Sequence, residues 1–320
     1  MLRTACAAGL GMLMRAWNRR RLTILMFHGF TDTALPGLVN CEHKHLSTER
    51  FESFLQFLKK HYQVLEMTDA TGRLARGEAL PAGAVVLTFD DGFLSNFTHA
   101  YPLLLRYKMP ATIFLATEFV DEKKPIWVDR IVYAHDCAGK SKREMTDVKN
   151  RLKQLHQEDI EEYLQALENS LGFALKNTND EAIAKVYHAL DWEQIREMQA
   201  SGLVTIGAHT HAHKILGHCR SLETVRAEMA RSKVIIERET GRECGLFCYP
   251  NGGHGDFSAA TEAVAKEVGF RSTLTAVGGW QSCECSPFLL KRFGITNDID
   301  LTKFSLTMCG FLPWLYQKKA

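Results

Sequence analysis

Short apolar runs alternate along the chain with longer segments whose apolar residues recur at helical spacing. The first run, LTILMFHGF from Leu22 to Phe30, is apolar at nearly every position, as in a strand covered on both faces, and it ends in a histidine and a glycine. STERFESFLQFLKKHY follows, with Phe51, Phe54, Leu55 and Leu58 on one helical face behind a Ser47 or Thr48 cap. The alternation continues through GAVVLTFDDG (strand), NFTHAYPLLLRYKM (helix), PATIFLAT (strand), WEQIREMQASG (helix, ending at Gly202) and LVTIGAH (strand). SLETVRAEMARSKVIIERETG, GLFCYP, AATEAVAKEVG and RSTLTAV extend it as helix, strand, helix and strand. This cadence predicts an α/β fold with a parallel sheet, either open or closed into a barrel, and spacing does not choose between them.

Residues from about 121 to 190 interrupt the rhythm with a long, charged stretch that carries Leu152, Leu155, Tyr163, Leu164 and Leu167 at helix-like positions. They are expected to form a helical insertion, as a lid, a cleft wall or a packing elaboration. The domain organisation expected is a basic and apolar segment over 1–21, one α/β domain over 22–300 that contains the insertion, and a tail over 301–320.

Ligands of parallel α/β folds sit beyond the carboxyl ends of the strands, where the loops converge. Four predicted strands end in reactive groups: AVVLTF in Asp90 and Asp91, LVTIGA in His209, Thr210, His211 and His213, LTILMF in His28, and GLFC in Tyr249, Pro250 and Asn251. Buried carboxylates need positive compensation, and two imidazoles with one carboxylate are a usual ligand set for a divalent metal. His209 and His213 share a side if the strand turns helical after His209. In an extended segment His209, His211 and His213 share a face, so spacing leaves His211 and His213 as alternatives. Neighbouring aspartates on an extended backbone point apart, so one can hold the metal while the other accepts a proton from water. DDG is also a common turn and capping sequence.

Charge and cysteine usage narrow the partners. Lys plus Arg number 39 and Asp plus Glu 37, a balance that gives no case for nucleic acid. Nine cysteines without a CxxC pair fit neither a zinc ribbon nor a disulfide framework and point to a reducing compartment. The opening MLRTACAAGLGMLMRAWNRRR is broken by Arg15 and densest in charge at Arg19, Arg20 and Arg21. It reads as a surface amphipathic helix touching a membrane rather than as a secretion signal, and no run is long enough to span a bilayer. The expectation is a cytoplasmic, membrane-associated protein, with secretion as the alternative.

TFDDG at Thr88 to Gly92, HTHAH at His209 to His213 and FCYPNGG at Phe247 to Gly253 together resemble the polysaccharide deacetylase family, carbohydrate esterase family four, in motif order as well as content. The resemblance covers roughly Leu22 to Ile295 and implies a distorted (β/α) barrel that removes acetyl groups from N-acetylated sugars with a divalent metal, often zinc. By position it implies Asp90 as general base and Asp91, His209 and His213 as metal ligands. It implies that the Tyr249 backbone N–H stabilises the oxyanion. Many members have an arginine where this chain has Cys248, and Arg292, which resembles a downstream arginine found in some branches, is the candidate to substitute for it. The C-terminal histidine that many members use as general acid is missing, since no histidine follows His254. His28 is the first candidate for that role, because MFHGF resembles the opening strand of some branches and imidazole titrates near neutral pH. His254 is the second.

PIWVDRIVY offers Trp127, Asp129 and Arg130 as a sugar-holding set or an amphipathic stripe, and Asp256 either binds substrate or caps a helix. The function expected is hydrolysis of N-acetyl groups on a polysaccharide, oligosaccharide or lipid-linked precursor. The alternatives are hydrolysis of another non-peptide carbon–nitrogen bond, of the cyclic amide type, and carbohydrate binding without turnover.

Overall fold

The computed structural model describes residues 21–35, 37–175, 181–282 and 285–311. The first apolar run divides at its histidine into β1 (Thr23–Phe27) and β2 (Gly29–Thr31), so His28 sits in a break rather than on a continuous strand. β2 leaves the main sheet and pairs with β3 (His45–Ser47) in a separate two-stranded sheet. β4 (Gln63–Val64), β5 (Ala84–Phe89), β6 (Ala111–Leu115), β7 (Val204–Ala208), β8 (Leu246–Cys248), β9 (Ser272–Leu274) and β10 (Phe293–Gly294) join β1 in an eight-stranded sheet. Its order is β10-β1-β5-β6-β7-β8-β9, with β4 against the start of β5, and every pairing is parallel.

β5 and β6 are buried at every position, which is why they read as unbroken apolar runs. Leu290, just before β10, forms a parallel bridge with Leu274 of β9 while β10 pairs with β1. The two edges of the sheet thereby meet, and the fold is a distorted barrel of parallel strands surrounded by helices.

The helices follow their sequence signals. Ser47 caps Thr48–His61, Asp191 and Gln194 form a reciprocal capping box for Trp192–Ala200, and Ser221 and Ser258 cap Leu222–Thr240 and Ala259–Val268. The segment expected as one helix from Asn96 opens instead as a wide turn, Asn96–Ala100, and becomes α-helical over Tyr101–Tyr107. Pro102 lies in the first turn of that helix, where its missing N–H leaves no bond unmade.

The expected insertion is helical throughout its described elements: Trp127–Cys137, Lys142–Lys153, Ile160–Leu171 and Glu181–Tyr187. Its apolar cluster, with Ile131, Met145, Leu152 and Leu164, also takes in Phe93 and Ile215 from loops at the carboxyl ends of the strands and Phe119 from the short helix Thr117–Asp121 that follows β6. The insertion therefore packs over the end of the barrel where ligands are expected. Residues 301–309, expected as part of a tail, form a helix whose Phe304 stacks on Phe54 at 4.1 Å between ring centres. Residues 1–20, on which the membrane-helix and secretion-signal expectations fall, and 312–320 lie outside the described residues. Among the described residues no helix is long and apolar enough to cross a membrane.

Candidate active site and metal centre

β5 delivers its two aspartates to different partners because the backbone turns between them. Asp90 extends the β1 pairing, its N–H donating to the Phe27 carbonyl at 2.9 Å. Asp91 then takes a left-handed φ of 77° and Gly92 one of 93°. A Cβ on Gly92 would stand 2.8 Å from Leu115 Cδ2, so the glycine is required both by φ and by space. Thr210, His213 and Asn251 also adopt positive φ, a concentration of backbone strain typical of a functional site.

Asp90 is held by Arg292. Nη1 and Nη2 of the guanidinium donate to Oδ1 and Oδ2, each at 2.7 Å, and both residues are buried. The remaining donors reach the Thr275 carbonyl (2.8 Å), Thr88 Oγ1 (3.1 Å) and Cys248 Sγ (2.8 Å). Burial alone would raise the Asp90 pKa, but the guanidinium holds it below the ordinary carboxylate value. Arg292 thus reaches, from a distant part of the chain, both Asp90 and the side chain of Cys248.

Asp91 turns to the histidines. Its Oδ1 lies 3.6 Å from His209 Nε2 and 3.3 Å from His213 Nε2, and the three donor atoms fall within 4.8 Å of one another. His209 Nδ1 donates to the Cys248 carbonyl at 2.7 Å, which leaves Nε2 with the lone pair. Burial pushes His209 down to about 4, so the ring is neutral at neutral pH. For Asp91, burial is overcome by the Lys44 ammonium and His213, which hold its carboxyl well below the usual range. Asp91 Oδ1 is buried without a hydrogen-bond partner and faces a neutral imidazole lone pair, an arrangement that a cation satisfies. The residues present fit a divalent metal.

His211 points elsewhere, its ring on Thr117 Oγ1 (3.0 Å) and Glu122 Oε1 (3.6 Å). His28 lies within electrostatic reach of Asp91, Asp90, Lys44 and Arg292, and burial lowers its pKa against the pull of the two aspartates. His254 is exposed on the loop after β8.

Three expectations need correction. The Tyr249 N–H is consumed by the Leu274 carbonyl at 3.0 Å, and its ring is buried between Phe247 and Phe257, so it offers no oxyanion donor. Among the described residues the Asn251 N–H, just beyond it, has no hydrogen-bond acceptor. Arg130 is not free for a sugar, since it is paired with Glu161 and Glu168 inside the insertion. Asp256 binds the Gly253 N–H and Asn251 Nδ2 and so closes its own loop.

Lys44 is the residue that the sequence reading missed. Its Nζ sits 3.2 Å from Asp91 Oδ2 and 2.9 Å from Asp129 Oδ1. Nothing in the spacing of CEHKHLS distinguishes this lysine from a surface one. A cavity of about 170 Å³ opens beside His213 and is lined on its other walls by Glu118, Lys124, Trp127 and Gln157.

A family model described as polysaccharide deacetylase matches residues 77–273. The protein YxkH of Bacillus subtilis (strain 168) is 30% identical over 285 residues, which cover 89% of this chain and 75% of that protein. The poly-beta-1,6-N-acetyl-D-glucosamine N-deacetylase of Escherichia coli (strain K12) is 34% identical over 70 residues, 22% of this chain and 10% of that protein. Among solved structures, the Streptococcus pyogenes deacetylase PplD in complex with acetate matches the fold with a TM-score of 0.61 at 18% identity, covering 90% of this chain and 98% of that one.

Proposed function

The chain belongs to the polysaccharide deacetylase family, and we propose that it hydrolyses the N-acetyl group of an N-acetylated sugar with a divalent metal held by Asp91, His209 and His213. Members of this family are hydrolases of non-peptide carbon–nitrogen bonds, and so is this protein. The observation that carries the proposed mechanism is the separation of the two aspartates, one paired with Arg292 and one facing two imidazoles.

A divalent ion at the triad, zinc being suited to two imidazoles and one carboxylate, supplies a lowered water pKa and a polarising charge for the acetyl carbonyl. Asp90, kept ionised and oriented by Arg292, takes a proton from water as the water oxygen bonds to the acetyl carbon. When the carbon–nitrogen bond breaks, His28, coupled to both carboxylates, carries that proton to the leaving nitrogen. Acetate and a free amine are the products.

A β-1,6-linked N-acetylglucosamine polymer is the first substrate to offer, supported by the 70-residue match to the Escherichia coli enzyme. Acetate release from β-1,6- and β-1,4-linked N-acetylglucosamine oligosaccharides, with and without a chelator, tests the mechanism. Release should stop on metal removal and return with zinc. Turnover that persists in fully metal-free protein would overturn it, and turnover of cyclic amides alone would move the substrate class.

A further inference from the structure

Lys44 and Asp129 are charged, largely buried, and have no part in the mechanism above, yet they touch it. Lys44 lies in the loop before β3, and its ammonium bridges Asp91 Oδ2 and Asp129 Oδ1 while resting 4.5 Å from the centre of the Phe93 ring. Asp129 belongs to the first turn of the helix Trp127–Cys137 and is 4% exposed. From the same turn, Trp127 Nε1 donates to the His213 carbonyl at 3.2 Å. One turn of the insertion therefore contacts the surroundings of two of the three proposed ligands.

The two oxygens of Asp91 are differentiated as a result. Oδ2 is occupied by the ammonium, and Oδ1, without a hydrogen-bond partner, faces His209 and His213. A carboxylate can offer a cation one oxygen or both. A catalytic site of three protein donors keeps positions open for water and substrate, and a second oxygen from Asp91 would take one of them. An ion pair at 3.2 Å to a buried carboxylate biases that choice, and contacts of this kind orient metal ligands.

Resting on the ligand set proposed above, we propose that Lys44, anchored by Asp129, is a positioning residue that engages one oxygen of Asp91 so that the metal receives only the other. The helical insertion then takes part in setting the coordination number, beyond covering the barrel.

The test uses the full chain loaded with cobalt(II), whose visible bands weaken as its coordination number rises, alongside cobalt stoichiometry for each variant. Lys44→Met and Asp129→Asn should bind one cobalt per chain with reduced band intensity, and Lys44→Arg should restore the parent spectrum. A role confined to stability would alter the unfolding midpoint and leave the spectrum unchanged. Parent-like spectra in both Lys44→Met and Asp129→Asn would overturn the proposal. A change in Lys44→Met alone would overturn the anchoring by Asp129. Loss of cobalt from both would also overturn it, by making Lys44 a condition of binding rather than of coordination number. Asp91→Ala separates the two levels: if it retains cobalt as the parent does, the ligand set itself is wrong, whatever Lys44 does.

Discussion

At the residue scale, the left-handed φ of Asp91 lets two adjacent, chemically identical side chains do different work. Asp90→Asn keeps the shape of the side chain but removes the charge that accepts a proton. Acetate release should fall by about 10²- to 10⁴-fold with metal content unchanged. Arg292→Met acts on stability, because it leaves the Asp90 carboxylate buried and unpaired. Removing one partner of a buried pair costs roughly 3–5 kcal/mol, readable as a lower urea midpoint. An Arg292→Met midpoint equal to the parent's would mean that the pair is not what compensates Asp90. Asp90, Asp91 and the histidines of HTHAH stood out in the sequence because chemically distinctive residues cluster at predicted strand ends, whereas spacing left His211 and His213 as alternatives and only the family resemblance favoured His213. The Arg292 pairing spans 202 positions and Lys44 to Asp129 spans 85, and no local pattern encodes such contacts. Tyr249 misled for a related reason: whether its N–H is free depends on β9, which pairs beside it.

Elements were most legible where they are locally determined. Capping residues, glycine stops and unbroken apolar runs marked the helices and strands, and Asp191→Ala, which removes one side of a reciprocal capping box, should cost about 1 kcal/mol of unfolding free energy. The turn after β5 is more demanding. Gly92→Ala would combine an unfavourable φ with contacts of 2.8 Å to Leu115 Cδ2 and 3.1 Å to Val120 Cγ2. A loss of roughly 1–3 kcal/mol is expected, together with reduced metal affinity because Asp91 shifts with the turn. Unchanged stability and affinity would show that the turn tolerates a side chain. The division of the first apolar run at His28 was not legible, since apolar residues flank it on both sides and what splits the strand is the pairing of β2 with β3. The insertion was visible as an interruption in rhythm, but its contacts with Asp91 through Lys44 and with His213 through Trp127 are tertiary.

At the scale of the whole molecule, the choice between an open and a closed sheet turns on the bridge between Leu274 and Leu290, a single pairing too small to leave a pattern in the sequence. Closure brings Arg292 against Asp90, while the adjacent strands β5, β6 and β7 bring Asp91 towards His209 and His213. The proposed metal donors come within 4.8 Å of one another through this tertiary arrangement, from segments far apart in the chain. A metal that binds them should therefore favour the folded state over the unfolded one by mass action. At free zinc one hundred times the dissociation constant the gain is about 2.7 kcal/mol, which for a chain of this size is an upward shift of roughly 5 °C in the unfolding midpoint. Thermal unfolding of chelator-treated protein, repeated with zinc added back, measures it directly. Asp91→Ala, His209→Ala and His213→Ala should each lose most of the shift, whereas His211→Ala, whose ring lies on Thr117 and Glu122, should keep it. An equal shift in parent and Asp91→Ala would place the stabilising ion elsewhere on the protein and remove the triad as its site.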